Sequence, residues 1–229
     1  MKKRIRVLLF GASGRMGGQI VSAAQADNRI FLQHKISSKN IHFLRSALRE
    51  SDVVVDFSSP AGAMVCAAAA AECGVAMLIG TTGFSVSQIK KFKNYSKKTA
   101  ILLAPNCSPG MNLLYQLSRT AAGALSRYDA AVSESHHSRK KDIPSGSAKR
   151  LAQAVKDGRK KGSRVPIVSF RMGDIIGDHT VTFAGKDERM ELTHRAQSRS
   201  VFARGALDAA VWLHRKKRGC FTMQDYLRL

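Results

Sequence analysis

The sequence predicts an α/β protein in which a doubly wound parallel sheet is joined to a second, smaller α+β domain. Three observations lead to this fold class. Over roughly the first 107 residues, continuous apolar runs typical of buried parallel strands take turns with helical patterns. A glycine-rich turn follows the first run, and beyond about residue 165 two strands alternate between apolar and polar positions. With 229 residues, 44% of them apolar, the chain can bury two cores.

The turn after the first strand carries the clearest chemical signal. Strand Ile5 to Phe10 runs into Gly11-Ala12-Ser13-Gly14-Arg15-Met16-Gly17, and a helical pattern follows. Strand, glycine turn and helix form the entry of a Rossmann-like dinucleotide-binding domain, where glycines permit a tight turn and a close approach of the backbone to a pyrophosphate. We therefore expect a dinucleotide cofactor at this turn.

The end of the second strand bears on the type of cofactor. Strand Ile30 to Ile36 is followed by Ser37-Ser38-Lys39, with Lys35 just before. An acidic residue that would hold the adenosine ribose hydroxyls is absent, whereas hydroxyls and two lysines can receive a 2′-phosphate. This favours NADPH over NADH, although lysines at a strand end are also ordinary surface residues.

Three further apolar runs complete the predicted sheet and end in loops of small or polar residues. They are Val53 to Phe57, Val75 to Ile79 and Ile101 to Ala104, and an alanine-rich helix from Pro60 to Glu72 separates the first two. Ligands of doubly wound sheets lie at the carboxyl ends of the strands. The loop Gly80-Thr81-Thr82-Gly83-Phe84 therefore suits a wall against a nicotinamide ring, although a simple turn explains it too.

The second half of the chain mixes helices with alternating strands. In order, we predict helix Met111 to Leu125, strand Tyr128 to Ser133, helix Ala148 to Val155, a charged surface loop Lys156 to Arg164, strands Val165 to Arg171, His179 to Ala184 and Glu188 to His194, helix Val201 to Leu213, and a short helix from Met223. This order indicates a second domain of α+β type.

The stretch from Glu134 to Ala148, called here the histidine–lysine segment, is the candidate site of that domain. Two histidines, three basic residues and an aspartate precede a Pro-Ser-Gly-Ser turn that starts a helix. Ser145 can cap this helix, and the N–H groups around Gly146 and Ser147 can then hold a carboxylate. Imidazoles and ammoniums transfer protons near neutral pH. We interpret the segment as an active-site loop for an acidic substrate, with a solvated basic loop as the alternative.

Charge raises the possibility of a nucleic-acid partner. The 38 basic and 16 acidic residues give a net charge of +22, which raises the expectation of polyanion binding. The basic residues are scattered along the chain, and the few aromatic residues form no stacking platform for bases. We therefore expect anionic small molecules rather than nucleic acid, with polyanion binding as the minor alternative.

Cysteine spacing and the N-terminal residues bear on metals and location. The four cysteines have no metal-ligand or redox spacing, so we expect no disulfide and no metal. The basic start is followed by an apolar run, Val7 to Phe10, that is too short for a signal peptide, and no apolar run approaches a membrane span. We expect a cytoplasmic protein without membrane contact.

Motifs along the whole chain resemble the 4-hydroxy-tetrahydrodipicolinate reductase (dihydrodipicolinate reductase) family of the diaminopimelate–lysine pathway. The matching motifs include the glycine turn, Asp56-Phe57-Ser58, Ile79-Gly80-Thr81-Thr82-Gly83-Phe84, Ala104-Pro105-Asn106, Glu134-Ser135-His136-His137, Lys140-Lys141-Asp142-Ile143-Pro144-Ser145-Gly146, Gly177-Asp178-His179-Thr180 and Ser200-Val201-Phe202-Ala203-Arg204-Gly205-Ala206. The resemblance implies NAD(P)H-dependent reduction of a cyclic dicarboxylate.

The resemblance also implies roles for individual residues. His136 and Lys140 would supply acid–base chemistry and the proton, His137 would contact substrate, and the N–H groups of Gly146 and Ser147 would bind a substrate carboxylate. The cofactor would lie on three loops and Ser38. The loop residues are Gly11, Ala12, Ser13, Gly14, Arg15, Met16, Gly80, Thr81, Thr82, Ala104, Pro105, Asn106 and Cys107.

The resemblance further implies the domain division and the assembly. Residues 1–107 and about 199–229 would bind the dinucleotide, and residues 108–198 would bind substrate and join the chains into a homotetramer. The chain departs from the family in carrying Ser147 for threonine, in lacking the acidic residue after the second strand, and in its short loops. Two alternatives remain. One is another two-domain dehydrogenase that shares the first half of the chain, and the other is a degenerate reductase fold.

Overall fold

A computed structural model describes residues 4–159 and 163–229. Met1–Lys3 in the basic start, and residues 160–162 in the predicted charged loop, lie outside the described residues. The chain divides into two compact units. One comprises the residues up to Ser108 together with Ser200–Arg228, and the other comprises Pro109–Arg199.

The first unit is built on a six-stranded parallel sheet in the order β10-β5-β4-β3-β1-β2. Its strands are β1 (Ile5–Phe10), β2 (Ile30–Ile36), β3 (Val53–Asp56), β4 (Ala76–Ile79), β5 (Ala100–Leu103) and β10 (Gly219–Thr222). Its helices are α1 (Arg15–Gln25), α2 (Leu44–Arg49), α3 (Pro60–Cys73), α4 (Val86–Tyr95), α7 (Ser200–Leu213) and α8 (Met223–Leu227), with a 3-10 helix at Ser38–Phe43.

Helices cover both faces of this sheet, which confirms the predicted doubly wound arrangement. Val7 and Leu9 of β1 point into a core that includes residues of α1 and α7, whereas Leu8 and Phe10 point into a core with α2, α3 and α4. Because both faces are buried, the strands need apolar residues at every position. The unalternated run of β1 is therefore the pattern that this fold requires.

The second unit is built on a four-stranded sheet in the order β7-β6-β8-β9, with α5 (Pro109–Ala124) and α6 (Gly146–Gly158). β6 pairs with β7 in parallel and with β8 antiparallel. One sheet face packs with the two helices around a core that includes Val132, Leu151 and Phe183. On β7 (Ile167–Arg171) the alternate side chains Val168 and Phe170 are exposed. The strands are completed by β6 (Asp129–His136), β8 (Asp178–Ala184) and β9 (Arg189–Arg195).

The predicted ends of two elements near the site are wrong, and one strand of the first sheet was not predicted. β6 does not end at Ser133 but continues to His136, so the first part of the histidine–lysine segment is strand rather than loop. α6 begins at Gly146 and runs to Gly158, into the predicted charged loop. β10 was not predicted at all and adds an edge strand to the first sheet.

No helix among the described residues is long and apolar enough to cross a membrane. All four cysteines are free thiols, with Cys66 and Cys107 buried in the first unit.

Candidate active site

A row of polar side chains crosses the sheet of the second unit on the face that holds the core. Glu134 of β6 pairs with Ser169 of β7 and with His179 of β8, and His179 pairs with His194 of β9. His136 lies two residues further along β6 and therefore on the same face. Glu134, His136 and His179 are all buried. A buried polar row needs internal partners, because water is excluded from it.

The Glu134 carboxylate is the hub of this row. Its Oε1 accepts hydrogen bonds from Nη2 of Arg171 at 2.9 Å and from the backbone N–H of Ser145 at 3.2 Å. Its Oε2 is in direct contact with Nδ1 of His136. The rings of His136 and His179 meet edge to face with centroids 5.1 Å apart. The hub thus joins the end of β6 to β7, β8 and the start of α6.

Burial and neighbouring charged or hydrogen-bonding groups have opposing effects on the pKa values of Glu134 and His136. Burial raises the pKa of Glu134, but hydrogen bonds from Arg171, Ser169 and the Ser145 N–H outweigh burial and hold that pKa down to about 2. Burial lowers the pKa of His136, and Glu134 offsets part of this effect. Burial and the neighbouring His136 lower the pKa of His179 to about 3. At neutral pH the row therefore contains an ionised carboxylate beside neutral imidazoles.

Ligand atoms of Glu134, His136 and His179 lie within 4.8 Å of one another, a grouping that can in principle hold a metal ion. Arg171 uses the same carboxylate. A guanidinium in that position opposes a divalent cation electrostatically.

The loop after β6 holds the other predicted residues of the second unit. His137 is buried, and its carbonyl accepts a hydrogen bond from the N–H of Lys140 at 3.0 Å. The ammonium of Lys140 donates to Oδ1 of Asp142 at 2.7 Å and is 23% exposed. Burial raises the pKa of Asp142, but the hydrogen bond from Lys140 lowers it below its usual value. The cationic group is thus tethered at the surface of the site.

Helix α6 starts directly after this loop. Ser145 is its N-cap, with Oγ accepting from the N–H of Ala148 at 3.1 Å, as the sequence predicts. Ser145 Oγ also lies 3.4 Å from Nε2 of His179. Gly146 and Ser147 form the first turn, where the backbone N–H groups carry the positive end of the helix dipole. The second unit therefore contains His136, His137, Lys140, Gly146 and Ser147 in one region.

The predicted cofactor residues of the first unit occupy the carboxyl edge of its parallel sheet. A cavity of about 260 Å³ there includes four of them in its lining, Gly11, Ser13, Gly14 and Ser38. Gly11 has a φ of +92°, and a Cβ at this position would stand 2.3 Å from the carbonyl oxygen of Phe57. Only glycine fits this turn, so the residues present suit the close approach of a dinucleotide.

The remaining predicted cofactor residues follow the neighbouring strands. Ala12, Arg15 and Met16 complete the glycine turn and the start of α1. Gly80, Thr81 and Thr82 follow β4, and Ala104, Pro105, Asn106 and Cys107 follow β5. Thr81 accepts a hydrogen bond from the N–H of Ser58 at 2.8 Å, which ties the loops after β3 and β4 together. Cys107 is buried, and its thiol donates to the carbonyl of Ala104 at 3.6 Å.

Several residues of the site carry no prediction from the sequence. Arg171 ends a strand and gives no pattern signal. Glu134 and His179 lie in quoted motifs but were assigned no role. The alternation of β8, with His179 on the side of Val181 and Phe183, is the signal that would have placed this histidine on the buried face.

A glycine turn in a parallel sheet, with a histidine, a lysine and a helix N-terminus gathered in a second unit, defines a two-domain oxidoreductase that uses a nicotinamide cofactor. Comparison with known proteins narrows this class. Family models described as "Dihydrodipicolinate reductase, N-terminus" and "Dihydrodipicolinate reductase, C-terminus" match residues 5–107 and 110–227. The chain therefore belongs to the dihydrodipicolinate reductase family, as the motifs predicted.

Individual relatives agree with this assignment over nearly full length. A 4-hydroxy-tetrahydrodipicolinate reductase from Nitrosomonas europaea is 43% identical over 98% of this chain and 98% of its own. One from Aquifex aeolicus is 38% identical over 98% and 99%. The chain is thus an oxidoreductase that reduces 4-hydroxy-tetrahydrodipicolinate in diaminopimelate–lysine biosynthesis.

Solved structures share the fold. A dipicolinate-bound dihydrodipicolinate reductase from Paenisporosarcina sp. TG-14 superposes with a TM-score of 0.82 at 20% identity, covering 98% of this chain and 100% of that one. A DAP dehydrogenase from C. glutamicum gives 0.61 at 13% identity, covering 96% and 93%. The predicted fold class is confirmed.

Proposed function

We propose that His136 and Lys140 carry out the proton chemistry of this reductase, with NADPH as the preferred cofactor. The observation that carries this proposal is the setting of His136, whose ring is held by a buried carboxylate in the unit that also contains Lys140 and the start of α6. A ring held in this way is oriented for proton transfer.

Each residue has a distinct part in the proposed reaction. A bound nicotinamide supplies the hydride. The 4-hydroxyl group of the substrate leaves as water, and Lys140 or His136 protonates the ring carbon next to the one that receives the hydride, so that one hydride and one proton are added for each water lost. His137 contacts the substrate. The N–H groups of Gly146 and Ser147 receive a substrate carboxylate, which the positive end of α6 stabilises. Dipicolinate, which the Paenisporosarcina relative binds, has two such carboxylates.

The preference for NADPH is supported by the end of β2. Ser38 lines the cavity beside the glycine turn, and Lys35 and Lys39 are exposed nearby in sequence. Ser37 is tied to Asn40, whose Oδ1 accepts from the Ser37 N–H at 2.7 Å. The sequence directly after β2 carries no carboxylate to receive ribose hydroxyls, and the hydroxyls of Ser37 and Ser38 in the lining of this cavity can receive a 2′-phosphate.

A homotetramer is supported by the open face of the second sheet. Val168 and Phe170 of β7 are about half exposed there, and Met172 follows them. Exposed apolar side chains in a row are typical of a surface that another chain covers. We propose that copies of this chain meet through this face.

A cytoplasmic location is supported by the four free thiols, two of them at least partly accessible (Cys73 and Cys220). Thiols persist in a reducing compartment.

The experiment that tests the proposed function follows nicotinamide oxidation by the purified protein. The labile substrate is generated in the same cuvette by the preceding synthase. We expect rapid oxidation that requires the synthase, and a higher kcat/KM with NADPH than with NADH. Folded protein that binds cofactor yet oxidises neither would contradict the proposed activity, and an equal or greater kcat/KM with NADH would contradict the cofactor preference alone.

A further inference from the structure

We propose that Glu134 and Arg171 form a positioning pair that sets the tautomer of His136 and anchors the loop that carries Lys140. This inference rests on the proposed function, because it assigns the pair a role toward its two proton-transfer residues. The Glu134 side chain is fully buried, and that of Arg171 is 12% exposed.

The first half of the inference concerns the imidazole. The Glu134 carboxylate contacts His136 at Nδ1, so a neutral ring keeps its proton on Nδ1 and its lone pair on Nε2. Nε2 lies on the side of Gly177, where a Cβ would stand only 3.0 Å away. The absence of a side chain at Gly177 therefore leaves room for the ring in this orientation. Carboxylates that hold a histidine in this way control which nitrogen reacts.

The second half concerns the loop. The Arg171 guanidinium donates to Oε1 of Glu134, and it also donates to two loop carbonyls, through Nε to that of Lys140 at 3.2 Å and through Nη2 to that of Asp142 at 2.6 Å. One rigid group thus connects the end of β6 with the backbone on both sides of Lys141. The planar fork of arginine suits this bridging, and the point charge of lysine does not.

The charged and titratable groups around His136 come from four strands and one loop. They are Glu134 on its own strand, Arg171 on β7, His179 on β8 with His194 behind it on β9, and Lys140 in the loop. Among these, Glu134 is the anion, and it opposes the effect of burial on the imidazole. Removing the charge of Glu134 therefore disfavours the protonated form of His136. It also allows the neutral ring to carry its proton on either nitrogen.

The test uses Glu134→Gln in the full-length protein, because glutamine keeps the shape and an acceptor for Arg171 but loses the charge. Nitrogen NMR of labelled histidines, with the His136 signals assigned by their absence in His136→Asn, reports the tautomer and the titration midpoint. We expect mixed or reversed tautomers, a midpoint at lower pH, and a kcat at least 10-fold lower with unchanged cofactor binding. Glu191→Gln on β9, an exposed glutamate of the same sheet, is the matched control and should change none of these.

Arg171→Lys is the second variant, and it keeps a cation beside Glu134 while losing the bridge to the loop. We expect His136 to keep its tautomer and kcat to fall at least 10-fold. It also keeps the proposal testable if Glu134→Gln does not fold. An unchanged tautomer and pH profile in Glu134→Gln, or wild-type kcat in Arg171→Lys, would overturn the positioning role. Wild-type activity of His136→Ala would instead contradict the catalytic assignment, and the NMR result would still report on the pair.

Discussion

Asp56 is a buried carboxyl whose surroundings differ from those of Glu134. No cation pairs with it among the described residues, and Oδ1 accepts from the N–H and hydroxyl of Ser58. Burial raises the pKa of Asp56 to about 6, although hydrogen bonds from Ser58 and Thr81 counteract it. Two buried carboxyl groups thus have pKa values of about 2 and about 6. Arg171 lies beside Glu134, whereas Asp56 has no such cation among the described residues.

Replacing Asp56 by asparagine should change how stability depends on pH. Because the pKa of Asp56 is raised in the folded state, the native protein binds more protons than the unfolded chain between about pH 4 and 6. The contribution of Asp56 to the free energy of unfolding therefore falls by about 3 kcal/mol as pH rises through this range. The free energy of unfolding of Asp56→Asn relative to wild type should therefore increase from pH 4.5 to pH 7 in urea titrations. His179 acts in the opposite sense in both proteins and cancels in the difference. A difference that does not vary with pH would contradict the assignment.

Lys39 offers a residue-scale test of cofactor preference. In Lys39→Glu, a carboxylate would repel the 2′-phosphate, and we expect kcat/KM for NADPH to fall about 10- to 100-fold while that for NADH changes little, as for loss of a charge-assisted contact. Lys98→Glu makes the same charge change at an exposed position before β5 and is the control. Equal losses with both cofactors would contradict recognition of the phosphate.

Among the elements, α6 has two roles, because its capped first turn both stabilises the helix and forms the proposed binding site for a substrate carboxylate. Ser145→Ala removes the cap and should lower the free energy of unfolding by about 1 kcal/mol. It also loosens the first turn that holds the proposed carboxylate, so KM for substrate should rise several-fold. The matched variant is Ser85→Ala, which removes the side-chain cap of α4 in the first unit. It should lower stability without raising substrate KM, and a rise of equal size in both variants would contradict the role of α6.

Elements were predictable from sequence where burial and residue type agree. β1 begins and ends where its apolar run does, because it lies inside a parallel sheet that is covered on both faces. β6 was cut short at Ser133, because Glu134 and His136 are polar residues at buried positions, and a polarity pattern cannot reveal the partners that compensate them. β10 was missed because its short edge strand is partly exposed and carries only two apolar residues.

The candidate site was predictable to the same degree. His136, Lys140 and the cap Ser145 stood out from residue type and spacing within one segment. Arg171 reaches this segment from 29 to 37 residues away in the chain, and such a contact depends on the pairing of β6 with β7. Register across a sheet is set by the packing of whole strands, so single residues give no local signal of it.

At the scale of the whole molecule, the open face of the second sheet predicts the assembly state. Wild-type protein should have about four times the chain mass of 25.0 kDa in sedimentation or light scattering. Phe170→Glu places a charge in the proposed interface and should shift the mass downwards. Phe31→Glu on β2 is the control, since both phenylalanines are 48% exposed. A monomeric wild type, or Phe170→Glu at the wild-type mass, would contradict the interface.

The assignment of His136 and Lys140 to proton transfer is tested most directly by the turnover of three variants in the synthase-coupled assay at saturating NADPH. His136→Ala and Lys140→Ala should each lower kcat by about 10²- to 10⁴-fold, the usual contribution of a positioned acid–base group. Lys141→Ala removes the adjacent exposed lysine and should leave kcat within about twofold of wild type, as expected for a solvated charge. Near-wild-type kcat in both His136→Ala and Lys140→Ala, with the protein folded and binding cofactor, would contradict the proposed roles of these two residues in proton transfer.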